Sequence, residues 1–177
     1  MVVTAEYYTK VWHDADSGPD YTQWTYGDVI VMSVNNEGGL NWINVVPKMQ
    51  VTSVPDLPLM AGLLAVSIKL PDPQVLNNWS YVPGIGSDHL YLVFNDHIKN
   101  AIKADDKQKP VVNPKKSIPY KVSIDLETGE FVKKPMVNAT DADTYMAPQV
   151  IYRLSDNKYI IWAVKRKENK FGTVTFE

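Results

Sequence analysis

Cysteine is absent from the 177 residues. That removes disulfide staples, thiolate-ligated zinc and thiol nucleophiles together. No apolar run approaches the ~18 residues of a membrane-spanning helix; the longest apolar stretch, Leu57 to Leu70, is interrupted by Pro58, Gly62, Ser67 and Lys69. There is little charge of either sign in excess. The net value is −2, and a nucleic-acid partner, which needs a clustered basic face, is not expected. The densest basic cluster, Lys165-Arg166-Lys167, reads as a solvated turn beside a strand. A nucleophile elbow, a phosphate-binding glycine loop and a complete EF-hand loop are also missing. No segment carries the period of a long amphipathic helix, and no export signal stands before Met1-Val2-Val3-Thr4, so the sequence reads as a mature or trimmed form.

What is present is a phrase that recurs. Asp28 to Val34 is β-rich, Asn35-Asn36-Glu37-Gly38-Gly39 is a turn, and Leu40 to Val46 is β-rich again. Tyr120 to Ile124, the turn Asp125 to Gly129 and Glu130-Phe131-Val132 repeat it. Asn, Asp and Gly tolerate the positive φ of a tight reversal, so each phrase predicts a hairpin. Further strands are expected over 2–12, around 63–69, over 90–94, and at 149–154, 158–164 and 170–176, where β-branched and aromatic residues gather. Residues 50–58, with Pro55 and Pro58, read as irregular. Long loops are expected at 71–88 and 99–117. An apolar fraction of 45% with 21% charged residues is that of a folded chain. The expectation is one all-β domain over 1–177, an antiparallel meander of propeller-like type, a partial or small propeller, with a β-sandwich or barrel as the alternative.

The order of several phrases resembles a family of uncharacterised bacterial envelope proteins with β-propeller-like repeats, most closely their C-terminal part. The matching pieces are Glu6-Tyr7-Tyr8, Tyr26-Gly27-Asp28-Val29-Ile30-Val31, Trp42 after the first turn, and Val46-Pro47-Lys48-Met49-Gln50. Later pieces are Leu90 to Asp96 with Lys99-Asn100, Asn113 to Ser117, Ile151 to Asn157, and Phe171 to Phe176. Phe94-Asn95-Asp96 followed by Lys99-Asn100 is the most specific. The resemblance implies a periplasmic, extracellular or cell-envelope location and carries no catalytic residues. It points to a non-catalytic binding module for a protein or glycan partner, in which open sheet edges could be covered by self-association.

Three sets of side chains are candidates for chemistry. Asp14, Asp16 and Asp20 lie at near-alternating positions in a polar turn, and Ca²⁺, which takes six to eight oxygens, is the one cofactor this spacing allows; Asp141 and Asp143 form a weaker version. His13, His89 and His97 are scattered and do not predict a zinc site. Trp24 and Tyr26 in an aromatic run, and Trp79 and Tyr81 in the long loop, are candidate ligand-binding residues. Exposed aromatics offer flat apolar area with a polar edge that suits sugars and proteins. For the N-terminal aromatics, cross-strand packing is the competing account.

Overall fold

The computed structural model describes residues 1–56, 79–101, 108–137, 144–165 and 168–176. Among them every regular element but two short 3₁₀ turns is a strand. β1 (Val2–His13), β2 (Tyr21–Val34), β3 (Leu40–Val46) and β4 (Gln50–Pro55) form one antiparallel sheet. β5 (Val82–Ile85), β6 (His89–His97), β7 (Ser117–Asp125) and β8 (Phe131–Pro135) form a second, in chain order. β9 (Thr144–Arg153), β10 (Lys158–Lys165) and β11 (Glu168–Thr175) form a third. None of the three closes on itself, so these strands form no barrel.

The turn chemistry places the hairpins. Asn35 Oδ1 accepts the amides of Glu37 and Gly39 at 2.9 and 2.8 Å, and Gly38 takes φ 86°. At the β7–β8 reversal Asp125 Oδ1 accepts from Glu127 and Thr128, and Gly129 sits at φ 77°. A short polar side chain and a left-handed glycine close both turns.

β2 is longer than its sequence suggested. The aromatic run from Tyr21 and the aliphatic run to Val34 are one strand of 14 residues. It pairs with β1 along its whole length, and on its other side its two halves pair with β4 and β3 in turn. The register shifts between Glu6 and Tyr8. There the ring of Tyr7 lies against the backbone of Gly27, so close that a Cβ at Gly27 would fall 2.8 Å from Cδ1. Past this point the strand turns its other face to the core. Three further differences stand out. Residues 50–55 are a strand despite Pro55, because an edge position asks Pro for no ladder amide. β5 lies inside the expected 71–88 loop, and β9 begins at Thr144, inside a stretch read as a connection. The strand expected at 63–69 falls outside the described residues.

The β5–β8 sheet lies between the other two. Leu90, Leu92 and Phe94 of β6 with Val122 and Ile124 of β7 meet Val29, Val31 and Val46 of the first sheet. On the opposite face Val82, Tyr91 and Val93 meet Met146, Ile161 and Phe176. β6 is accordingly buried from Leu90 to Asp96 without alternation, the pattern of a strand covered on both faces.

Candidate functional site

The strongest concentration of chemistry is a polar junction where the first sheet meets the middle one. The Lys48 ammonium has no exposed surface. It pairs with Glu6 Oε1 and donates to Gln50 Oε1 at 3.0 Å and to the Tyr26 carbonyl at 3.3 Å. Its three N–H bonds are thus all used. Burial pushes the Lys48 amine down, while Glu6, then Asp96 and Asp28, pull it back up. The other oxygen of Glu6 accepts from Ser80 Oγ at 2.8 Å, and Gln50 Oε1 accepts the Ser80 amide at 2.8 Å. Ser80 holds φ 73° to do so, a left-handed conformation costly for a residue with a Cβ.

A second buried pair continues the network. Lys133 Nζ lies 2.6 Å from Asp96 Oδ2 and donates to the Pro47 carbonyl at 3.0 Å. Asp96 Oδ1 accepts from the His97 amide and from Asn100 Nδ2, at 2.7 and 2.8 Å. The two ammonium groups flank Phe94, with Lys48 6.0 Å and Lys133 5.2 Å from its ring centre. Asn95, facing the opposite way, joins β6 to β9. Its Nδ2 donates to the Met146 carbonyl at 2.6 Å and its Oδ1 accepts the Met146 amide at 3.0 Å. Its own carbonyl accepts from Gln50 Nε2 at 2.7 Å.

Apart from Ser80 and Lys133, the polar side chains of this network are among those quoted for the resemblance. Glu6, Pro47-Lys48-Met49-Gln50 and Phe94-Asn95-Asp96 with Asn100 are far apart in sequence and meet here. Sequence reasoning read them as phrases and missed that they converge. The available signal was a lysine and an Asn-Asp pair set against β-rich runs, where burial demands partners. Lys48 is wholly buried and Lys133 largely so, and the paired cations tie the first sheet to the middle one.

The residues singled out from sequence are placed as follows. Trp79 has 0% exposure, so the side chain read as a surface contact is part of the interior. Tyr81 is half-buried against the first core and donates to Thr4 Oγ1 at 2.9 Å. Both ring positions serve packing. Trp24 and Tyr26 do share a face with β1: Tyr26 stands opposite Tyr8, ring centres 5.1 Å apart, and Trp24 opposite Lys10, whose ammonium lies 5.6 Å from the ring. Trp12, opposite Thr22, extends the row. Burial first, then the neighbouring Tyr8, raises the Tyr26 phenol.

Asp14 and Asp16 are exposed at the β1–β2 reversal, and Asp20 Oδ1 accepts the Ala15 amide at 3.2 Å. No three His, Cys, Asp or Glu side chains converge on a metal position among the described residues. Asp141 and Asp143 lie outside them. His13 stacks on Tyr21, His89 pairs with Asp88, and His97 Nδ1 accepts the Lys99 amide; the three are not brought together.

The outer faces of the two flanking sheets are the remaining feature. Directly opposed residues share a face, and the face alternates along each strand. On the β1–β3 part of the first sheet, the rows Val3–Met32–Ile43 and Ala5–Ile30–Val45 point away from the middle sheet. All six are apolar, and Ile43 and Val45 are 51% and 50% exposed. On the third sheet the outward rows are Tyr152–Ile160–Thr173 and Trp162–Phe171, with Val150 beside Tyr152. Tyr152 is 67% and Phe171 79% exposed.

No protein-family model matches this chain, and neither a curated protein nor a solved structure matches it. No helix among the described residues is long and apolar enough to cross a membrane.

Proposed function

We propose that this chain is a non-catalytic interaction module of a bacterial envelope protein, built from successive propeller-type blades that bind through their outer sheet faces. The single observation that carries this is the pair of apolar outer faces. A sheet with one face in water ordinarily alternates apolar and polar residues, and contiguous exposed apolar surface marks a contact site. The face-to-face stacking of three antiparallel sheets, the second and third of them meanders, supports the blade reading. Lys48 is wholly buried and Lys133 largely so, and each is held in an ion pair, which supports a role without catalysis. The phrases shared with envelope proteins support the location.

The test is co-sedimentation with bacterial envelope fractions. Wild-type protein is expected to sediment with them, and a variant carrying Ile43→Glu and Phe171→Glu to stay in solution. Equal behaviour of the two, or turnover of glycoside or ester substrates by the wild type, overturns the reading.

One observation favours a glycan as the ligand: the row Tyr8–Tyr26, Trp24 and Trp12 on one face, with Lys10 beside it. Flat aromatic area with a polar edge suits a sugar ring. Trp12→Ala with Trp24→Ala is expected to abolish any glycan-array signal, and a silent array for the wild type retires this second reading.

A further inference from the structure

Asp96 on β6 and Lys133 on β8 form a pair in which the two carboxylate oxygens are held differently. Oδ1 accepts two N–H groups, the His97 amide at 2.7 Å and Asn100 Nδ2 at 2.8 Å. Oδ2 has no hydrogen-bond donor among the described residues and meets only the Lys133 ammonium, at 2.6 Å. The Asp96 side chain is 1% exposed and that of Lys133 15%. We propose that Lys133 and Asp96 condense into an intramolecular isopeptide bond, Nζ to Cγ, which staples the edge strand β8 to β6 across β7. In a chain without cysteine this bond takes the place of a disulfide.

The surroundings suit an acyl transfer. A nitrogen in contact with a carboxylate oxygen stands close to the ~3–3.5 Å from its carbon at which a bond forms, and little ordering remains to be done, because β6 and β8 are both already paired to β7. The two donors on Oδ1 sit where negative charge gathers in a tetrahedral intermediate. The rings of Phe94 and Tyr120 lie 5.2 and 5.4 Å from Nζ. Both residues are buried, so these rings keep bulk water from two sides of the amine.

The step balances without a co-reactant. One proton passes from the ammonium to Oδ2 across their contact, leaving an amine and a carboxylic acid. The amine lone pair attacks Cγ, the Cγ–Nζ bond forms and the Cγ–Oδ2 bond breaks. Oδ2 departs as water, with that proton and a second one from the nitrogen, and nothing is oxidised or reduced.

The contacts already present fit the product. Oδ1 becomes the amide oxygen and keeps its two donors. The single N–H left on Nζ has the Pro47 carbonyl, 3.0 Å away, as its acceptor. The atom lost is the one that no other donor holds. The Glu6–Lys48 pair lacks this fit. Its second carboxylate oxygen is held by Ser80, and Lys48 donates to both Gln50 and the Tyr26 carbonyl; an amide nitrogen there would keep one N–H for two acceptors.

Intact-mass spectrometry of the whole folded chain, followed until the mass is constant, tests this. Wild type is expected to fall below its sequence mass by one water. Its digest is expected to contain a branched peptide whose fragments place the link between Asp96 and Lys133. Lys133→Arg, whose guanidinium keeps the charge and stays protonated, and Asp96→Ala are expected to retain their full sequence masses, with circular dichroism checking that they fold. The branched wild-type peptide decides the matter even where a variant does not fold. Wild type at its full sequence mass overturns the proposal. So does a water loss that survives Lys133→Arg, or one that maps to a cyclised aspartate and leaves Lys133 unmodified.

Discussion

Gly84 shows how much a missing side chain can decide. Phe176 is fully buried, stacks on Tyr91 with ring centres 5.1 Å apart and meets Tyr159 edge-on at 5.4 Å. It can do so because residue 84 is glycine: a Cβ there would fall 2.1 Å from Phe176 Cε2. Gly84→Ala is therefore expected to cost about 2 kcal/mol or more through overpacking, read as a lower urea midpoint at unchanged slope. Lys48 sets the opposite lesson, that of a charge that must not lose its partner. Lys48→Met leaves the Glu6 carboxylate nearly buried with the Ser80 hydroxyl but no cation beside it, at a cost of about 3 kcal/mol or more, whereas Lys48→Met with Glu6→Leu should recover most of it. A double-mutant cycle in denaturant measures the difference. Tyr120 supplies a pH dependence. Its phenol is buried and has no hydrogen-bond partner among the described residues, and burial, followed by the Asp96 carboxylate, raises it well above 10.0. Below pH 10 folded and unfolded chains both keep this proton and the contribution is intact. Above it the unfolded chain releases the proton first, so stability falls as pH rises. Tyrosinate absorbance should show one phenol titrating only as the chain unfolds, and Tyr120→Phe should remove that step and flatten the alkaline loss.

At the scale of elements, β6 and β9 are tied by one amide. Asn95 offers its side chain to Met146 as a strand would offer its backbone, with one donated and one accepted bond. Asn95→Ala leaves both Met146 groups without that partner, at about 1–3 kcal/mol for each buried group. Amide exchange in β9–β11 is expected to quicken more than in β1–β4, and equal acceleration everywhere would contradict a local tie. The same scale shows what strand sequences conceal. β6, β7 and β10 were legible because β-branched and aromatic residues run to a turn. β4 and β5 were not, because prolines and glycines in them resemble a loop when the partner strand is unknown. Whether Pro55 and Pro83 break a strand depends on which side of each the ladder lies, a fact of pairing and not of composition.

Across the whole molecule, the middle sheet has two covered faces and the flanking sheets have one each. Local opening should follow that order. Amides of β6 and β7 are expected to exchange slowest, near the global limit, and those of β11, whose residues from Glu168 to Thr173 are all exposed, fastest. Hydrogen exchange by mass spectrometry checks this, and exchange in β11 as slow as in β6 and β7 would contradict it. The sequence by itself determined that the chain is all-β and antiparallel, and where its principal hairpins turn, because those depend on local φ preference and on apolar alternation over a few residues. It did not determine which aromatics face solvent or which polar residues belong together. Trp79 is interior, and Glu6, Lys48, Gln50, Asn95 and Asp96 form one network, only because separate sheets stack. Burial and charge pairing are properties of surfaces brought together from distant parts of the chain, and no local window contains both partners.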